Sequence, residues 1–285
     1  AYELMTLLAA DKTTKIDEGI IRTVNSIVLK GLPDSQARNR GKYRVGPSLV
    51  VGAGTRQVRY RPPPAPWVPQ LMQNFVSDVD NWRNEYPGPI AAALAHFGLI
   101  SNHPFEDGNG RTARLIADMV LHLTGWSADG MVSLSQVIHH RLGDYYRSLR
   151  EAQGEDFKGE VDVTEFVKFH SDVLGAAAVR LEEKAVRFNQ IRDDFALHMS
   201  GVLNEWQVTG LMFMFDIGRV SSSRFARLTS CSQATAVADL NSLVEEGLAV
   251  REGAGKNTRY RLSPDILETI RKSQVKAQQE AVGRP

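Results

Sequence analysis

The sequence predicts a mainly α-helical protein with one β-hairpin and a smaller C-terminal domain. Apolar residues recur at helical spacing through the first two-thirds of its 285 residues, which is typical of a bundle of amphipathic helices. A glycine turn between two short Val- and Tyr-rich segments indicates the hairpin. After residue 204 the pattern changes to shorter helices followed by two strand-like segments, and the length accommodates about two domains.

The composition excludes several classes of protein. With 42% apolar and 24% charged residues, the chain is too hydrophobic for an intrinsically disordered protein. No apolar segment reaches the roughly 18 residues that a membrane helix needs, so we expect a soluble protein with no membrane partner. The single cysteine, Cys231, excludes an internal disulfide framework and fits a reducing, cytoplasmic setting.

The helical part of the bundle is predicted from the spacing of apolar residues. Residues 90–100 are apolar on nearly all sides, as expected of a central helix covered by its neighbours. The other segments have one apolar face and one polar face. The predicted helices are Ile20–Leu29, Val68–Val79, Ile90–Ile100, Leu115–Leu123, Ser135–Glu151, Val163–Leu174 and Ala178–His198.

The hairpin is predicted between the first two of these helices. Its strands are Lys42–Val51 and Gln57–Arg61, joined by the turn Gly52-Ala53-Gly54-Thr55. Residues 62–66, which contain four prolines, predict an extended spacer before the next helix. Between Lys30 and Arg61 the sequence has eight basic residues and one acidic residue. This segment therefore has a local charge of +7, whereas the whole chain has a net charge of +1. Such a block is typical of a solvated surface or of contact with phosphates.

The C-terminal segment predicts a helix, a turn, a second helix and two strands. The helices are Val220–Leu228 and Gln233–Glu246, and the strands are Leu248–Arg251 and Thr258–Leu262. In this order the elements resemble a winged helix-turn-helix domain, which we assign to residues 199–270, with a C-terminal tail at 271–285.

This resemblance makes duplex DNA a candidate partner. Three polar side chains on the second helix could contact bases: Gln233, Thr235 and Asn241. Four cations near the strands could contact phosphates: Arg251, Lys256, Arg259 and Arg261. Because Glu245, Glu246 and Glu252 lie in the same region, docking to a protein is the alternative.

The sequence His103–Arg114 has the chemistry of a phosphate site. Two glycines around Asn109 let backbone N–H groups approach a ligand closely, and the following helix presents its positive N-terminal end. Arg111 and Arg114 are three residues apart and so project to one side, where they could hold successive phosphates. Asp107 is suited to Mg²⁺, and His103 could accept a proton near neutral pH.

These residues match the signature His-x-Phe-x-(Asp/Glu)-Gly-Asn-Gly-Arg-x-x-Arg and resemble the Fic family in residues 1–198. The resemblance implies transfer of AMP from ATP to a Ser, Thr or Tyr hydroxyl of a protein, this chain included, with release of pyrophosphate. It further implies the role of each motif residue: His103 as general base, Asp107 as Mg²⁺ ligand, Gly108, Asn109 and Gly110 as phosphate cradle, Arg111 at the pyrophosphate and Arg114 at the γ-phosphate.

The predicted hairpin resembles the family's flap, which docks the target protein. The flap is assigned to about residues 41–61, and Tyr43, Arg44, Val45 and Gly46 are its candidate docking residues. Many members also carry an inhibitory pattern, (Ser/Thr)-x-x-x-Glu-(Gly/Asn), which occurs here at Thr14–Gly19 and again at Ser242–Gly247. Glu18 is therefore a candidate inhibitory residue, although we favour a capping or surface role for it. The alternative is an inhibitory segment that precedes Ala1.

Three functional alternatives accompany AMP transfer. The chain could be a DNA-binding regulator in which the Fic domain is secondary. It could be a Fic enzyme that removes AMP from a modified protein, or one that transfers another phosphate-containing group, although the intact Gly110 disfavours a kinase-like enzyme. The identity of the target protein and association into a homodimer are left open.

Overall fold

The computed structural model describes residues 13–33, 39–52, 57–127, 132, 134–198 and 203–268. The chain divides into two compact units, Ala1–Leu181 and Glu182–Pro285. Ala53, Gly54 and Thr55 of the predicted hairpin turn, the tail at 271–285 and the residues Asp34, Arg38 and Arg56 of the basic block lie outside the described residues. Among the described helices, none combines the length and apolar character needed to cross a membrane.

The helices up to residue 198 follow the predicted order. They are α1 Glu18–Val28, α2 Val68–Glu85, α3 Gly88–Asn102, α4 Asn109–Leu123, α5 Leu134–His140, α6 Leu142–Gln153 and α7 Thr164–His198, which begins in the first unit and ends in the second. α3 is the central helix as predicted, with Ala91, Ala92, Ala95, Phe97 and Leu99 all buried. Its neighbours α2 and α4 contribute Met72, Phe75, Ile116 and Met119 to the same core.

Two helix predictions differ from the structure. The predicted helix over residues 135–151 is divided into α5 and α6 because Arg141 has a non-helical backbone, with φ −122° and ψ 33°. The two helices predicted on either side of Gly175 form the single helix α7, since a glycine costs a helix only about 1 kcal/mol and does not remove a backbone hydrogen bond.

The hairpin is shorter than predicted. Its strands are β1 Val50–Val51 and β2 Val58–Tyr60, paired antiparallel with Val50 opposite Tyr60. The residues predicted as the first part of the first strand instead run across the loop before α4, where the Arg44 N–H donates to the Pro104 carbonyl (2.9 Å). A backbone group used in this way cannot pair with β2. The proline-rich spacer also turns earlier than predicted, into a short 3-10 helix at Ala65–Trp67.

The second unit contains the elements predicted for it and one more helix, with a separate core. Its elements are α8 Glu205–Ile217, α9 Ser222–Thr229, α10 Gln233–Glu245, β3 Ala249–Glu252 and β4 Arg259–Leu262. Ser221 and Ser232 cap α9 and α10 by accepting backbone N–H groups of the first turn. β3 and β4 pair antiparallel, and Tyr260 of β4 packs with Phe225 and Leu240 in the core.

The core of the first unit contains a pair of buried histidines. The rings of His96 on α3 and His170 on α7 lie 5.5 Å apart. His96 Nε2 lies 3.2 Å from the Tyr145 hydroxyl, whereas neither ring nitrogen of His170 has a hydrogen-bond partner in the described part of the chain. Burial holds the pKa of His170 at about 4 and also lowers that of His96. Both rings are therefore neutral at pH 7.

Acid should destabilise the first unit through His170. The unfolded chain takes up a proton at this histidine near pH 6.5 and the folded protein only near pH 4, so stability is full above pH 6.5 and falls towards pH 4. A shift of this size corresponds to a loss on the order of 3 kcal/mol. We expect thermal unfolding of His170→Leu to depend less steeply on pH in this window than that of the unmodified protein.

The control is His139→Leu, because His139 is an exposed histidine on α5. The unfolding temperature of His139→Leu should depend on pH as that of the unmodified protein does, because the control retains His170. Equal pH dependence of all three would contradict the assignment to His170.

Candidate active site

The motif residues lie in the tight connection between α3 and α4. His103 ends α3 in the left-handed conformation, with φ 44° and ψ 55°, and Gly108 precedes α4 with φ 81°. Both side-chain atoms of Asn109 bind the backbone of Phe105: Oδ1 accepts its N–H (2.9 Å) and Nδ2 donates to its carbonyl (2.8 Å). The predicted phosphate contact of Asn109 can therefore involve its backbone N–H, but its side chain is used to close the loop.

Phe105 anchors this loop in the core. Its side chain is fully buried, and its ring lies 5.5 Å from that of Tyr43. The loop backbone thus turns around a fixed apolar side chain, while the N–H groups of the first turn of α4 stay without intrahelical partners. Such a helix start is suited to bind an anion.

A cavity of about 540 Å³ opens beside the loop, a volume within the usual range for small-molecule sites. Three motif residues line it: His103, Gly110 and Arg114. The hairpin contributes Arg59 and Tyr60, and α6 contributes Tyr145, Tyr146, Arg150 and Gln153. These α6 residues belong to no recognisable motif, so the sequence alone could not assign them to the site.

His103 is held in its neutral form in this cavity. Burial lowers its pKa to about 4, and the nearby charge of Arg44 acts in the same direction. The Ile100 carbonyl and the Asp107 carboxylate raise the pKa, but their effects do not cancel that of burial. A neutral imidazole can accept a proton, which is the state required of a general base at pH 7.

Asp107 and Arg111 pair with each other and are not among the residues that line the cavity. Arg111 Nη2 lies 3.3 Å from Asp107 Oδ2, and both side chains are partly exposed. Arg111 Nη1 also donates to the Val28 carbonyl at 3.3 Å. An accessible carboxylate beside a helix start fits Mg²⁺, which commonly takes one or two protein carboxylates together with phosphate oxygens.

Arg114 projects into the cavity from a polar surrounding. Asp118, one turn later on α4, accepts the Leu134 N–H (3.3 Å), and burial raises its pKa to about 7 against the opposing effects of that bond and of Arg114. Burial also raises the pKa of Tyr145, and the Arg114 guanidinium acts on it in the opposite direction. Arg114 therefore lines the cavity with Asp118 and Tyr145 as its polar neighbours.

Helix α1 supports the loop through Asn25, a residue that no motif in the sequence marks. The buried Asn25 side chain donates to the Asp107 carbonyl (3.0 Å) and accepts the Gly41 N–H (2.9 Å). Its sequence signal is an amide on the apolar side of a helix, next to the buried Val24. A polar group at such a position needs partners, but the sequence does not say which ones.

The four predicted docking residues do not share one orientation. Val45 is 90% exposed, whereas Arg44 is 3% exposed and faces the loop. Tyr43 also turns inward, and its hydroxyl donates to Glu18 Oε2 (2.8 Å). Tyr43 and Arg44 are therefore placed to support the motif, whereas Val45 is exposed and Gly46 has open space on its Cβ side. Docking of a target at these four residues stays a prediction.

Glu18 lies in the first turn of α1, where Asp17 supplies the N-cap by accepting the Ile20 N–H (2.8 Å). The capping role expected of Glu18 thus belongs to its neighbour. Its carboxylate is engaged by Tyr43, and an inhibitory action of Glu18 stays a prediction.

The space around the motif glycines predicts unequal effects of alanine. At Gly108 a Cβ would lie 2.9 Å from Asn25 Nδ2 on a backbone with positive φ, whereas at Gly110 it would meet no atom closer than 3.6 Å. We expect Gly108→Ala to reduce the free energy of unfolding by about 1–3 kcal/mol. Gly110→Ala should change it by less than about 1 kcal/mol. Urea unfolding measures both, and equal losses would contradict this geometry.

Known proteins resemble this chain most clearly around the motif. Residues 15–121 match the Fic/DOC family. Protein adenylyltransferase Fic of Aedes aegypti is 30% identical over 115 residues, which are 39% of this chain and 20% of that protein. Protein adenylyltransferase fic-1 of Caenorhabditis elegans is 38% identical over 66 residues, which are 21% of this chain and 13% of that protein. The chain thus spans at most about a fifth of the length of these curated relatives.

A solved structure extends the resemblance to the fold. A Fic family protein from Desulfovibrio desulfuricans G20 aligns with a TM-score of 0.51 and 26% identity, over 92% of this chain and 72% of that chain. The family match contains α1, the hairpin, α2, α3 and the whole His103–Arg114 motif. Residues 15–121 of this chain therefore resemble the Fic/DOC family in sequence, and the chain resembles a Fic family protein in fold.

Proposed function

We propose that the chain transfers AMP from ATP to a Ser, Thr or Tyr hydroxyl of a protein, its own included, and releases pyrophosphate. The observation that carries the proposal is the convergence of a neutral His103, Gly110 and Arg114 on one cavity at the start of α4. The adenylyltransferase names of the similar proteins support the choice of AMP as the transferred group.

The proposed reaction is a displacement at the α-phosphorus. His103 accepts the proton of the attacking hydroxyl, whose oxygen forms a bond to the α-phosphorus. The bond from this phosphorus to the oxygen that bridges the α- and β-phosphates breaks, and pyrophosphate leaves with the electron pair. Such transfers depend on position and on stabilised negative charge, so the protein acts by holding the groups in line.

The cationic groups are arranged for a chain of phosphates. Gly110, in the positive first turn of α4, and Arg114 line the cavity, and Arg111 lies on the same helix. Asp107 would hold Mg²⁺, which supplies positive charge to the phosphates when bound. Because Arg111 pairs with Asp107 in the described structure, we expect this ion pair to separate when both residues bind their ligands.

The hairpin is the proposed docking element for the target. Val45, Leu49 and Val51 expose apolar side chains next to a site that needs an extended peptide. A short antiparallel pair such as β1 and β2 can bind a further strand through backbone hydrogen bonds. The hydroxyl of that strand would then enter the cavity at His103.

Mass spectrometry and labelled ATP test the reaction. After incubation with ATP and Mg²⁺ we expect the protein to gain the mass of one AMP and to retain an α-phosphate label but not a γ-phosphate label. His103→Asn should lower the rate by about 10²–10⁴-fold because the base is lost, while asparagine tolerates the left-handed backbone. The exposed histidine serves as the control, and His139→Asn should leave the rate unchanged.

The same experiment separates the alternatives. Retention of the γ-phosphate label would identify phosphate transfer, and release of AMP from a labelled protein without new labelling would identify AMP removal. No label from either ATP would overturn the proposal. Glu18→Gly belongs in this series, and an unchanged rate would exclude Glu18 as the inhibitory residue.

The second unit supports a separate candidate function, the binding of duplex DNA by a winged helix. α9, the turn at Ser230 and α10 follow one another as in a helix-turn-helix, and β3 and β4 follow as a wing would. Two arginines on α9, Arg224 and Arg227, are exposed. In contrast, Arg261 is paired with Glu252 (2.6 Å), which also binds Arg219 (3.3 Å), so the wing is less cationic than its sequence indicates.

DNA binding is tested with a fluorescent duplex and anisotropy at several salt concentrations. If the second unit binds DNA, Arg224→Ala with Arg227→Ala should weaken binding and lower the slope of log K against log salt by about 1 for each lost phosphate contact. Arg147→Ala with Arg180→Ala removes the same charge from the first unit and should have little effect. Absence of binding at low salt would exclude this function and favour protein docking.

A further inference from the structure

Arg44 is a buried cation whose partners are all carbonyl groups. It donates from Nε to His103 (2.8 Å), from Nη1 to Gly46 (3.2 Å) and from Nη2 to Pro63 (2.5 Å). Within the described part of the chain no carboxylate forms an ion pair with it. Burial lowers its pKa. A buried charge without a counter-charge is costly, so its retention indicates a role for this geometry.

The three carbonyls belong to three different parts of the site. Gly46 precedes the hairpin, Pro63 follows it, and His103 ends α3. One guanidinium therefore holds both ends of the hairpin and the residue proposed as the base. The hairpin and the base are otherwise separated by more than 35 residues of sequence.

Arg44 also binds the backbone at His103, the proposed base. Its own N–H donates to the Pro104 carbonyl (2.9 Å), so two successive carbonyls, those of His103 and Pro104, are bound by this one residue. His103 has a positive φ of 44°, which a residue with a side chain rarely adopts. Such a conformation persists only where its surroundings fix it.

We propose that Arg44 is the positioning residue that fixes His103 for proton transfer and holds the hairpin in register with it. The proposal rests on the proposed function for the role of His103, but the structural link itself does not. A peptide docked on the hairpin would then be placed at a set distance from the imidazole by a single rigid group. Arg44 acts through the backbone and does not enter the cavity lining.

The geometry requires an arginine. The planar guanidinium carries donors in three directions, which reach three carbonyls at once. Lysine keeps the charge but concentrates its donors on one nitrogen, so it cannot occupy the Nε and both Nη positions. Arg44→Lys should therefore fold with the charge in place and lose the positioning.

The matched control is Arg22→Lys. Arg22 Nε donates to the Gly41 carbonyl (2.9 Å), three residues before Arg44, and its guanidinium lies over the Tyr43 ring. It thus makes the same kind of contact to the same segment without touching His103, Gly46 or Pro63.

Two measurements distinguish positioning from a purely structural role. In AMP transfer from α-labelled ATP at saturating ATP, Arg44→Lys should lower the rate by about 10–100-fold, because small displacements of a reacting group are costly. Its Kd for ATP with Mg²⁺, measured by titration calorimetry, should change less than about 3-fold, since the start of α4 is untouched. Arg22→Lys should retain both values.

The ring resonances of His103, in protein labelled at histidine and assigned with His103→Asn, report the link without any activity. They should shift in Arg44→Lys and not in Arg22→Lys. If the unmodified protein transfers no AMP, the proposed function fails while this measurement still tests Arg44. Unchanged resonances together with an unchanged rate would overturn the inference.

Hydrogen exchange of the unmodified protein covers the case in which Arg44→Lys does not fold. The Arg44 amide, bound to Pro104, should exchange as slowly as the amides of α4, because both open only when the loop opens. An Arg44 amide that exchanges like those of an exposed loop would overturn the inference.

Discussion

The side chain of Asn109 closes the connection between α3 and α4, and the candidate active site depends on that closure. By binding both backbone groups of Phe105, it sets the five residues after His103 in one compact turn. The turn in turn determines where α4 begins, and so where its unpaired N–H groups and Arg114 point. His103, at the other end, is forced into a left-handed backbone that places its ring at the cavity. A single amide therefore fixes His103 relative to the start of α4, the two groups proposed as base and anion site.

This closure also explains how much of the site the sequence could predict. The residues of the motif are close together in the chain, so their identities and spacing alone indicate a helix start, a phosphate site and a base. The support of the motif is not local. Asn25 reaches the loop across 82 residues and Arg44 across 59. Spacing and periodicity do not identify the partners of such residues: Asn25 is recognisable only as an amide on the apolar side of α1, and Arg44 only as one cation of a basic segment.

The same distinction applies to the fold. The apolar character of α3 on all sides predicts a central helix, and the helix is buried on all sides. The hairpin is predicted too long because strand propensity takes no account of the motif loop, which competes for the backbone of residues 42–49. The Arg44 N–H binds Pro104 and the Arg44 side chain turns inward, so this segment is taken out of the sheet by the motif loop. Tertiary hydrogen bonds override local preference there.

Tertiary contacts also change the interpretation of the basic segment from Lys30 to Arg61. As a sequence it is a +7 segment typical of a cationic surface. In the structure its described arginines have different uses: Arg44 binds carbonyls, Arg61 lies 3.3 Å from Asp156 and 3.8 Å from Glu155, and Arg59 lines the cavity. A cation that is paired with carboxylates, as Arg61 is, adds little net charge to the surrounding field. A count of charges along the chain therefore overstates the positive field at the cavity, to which Arg59, Arg114 and the start of α4 contribute.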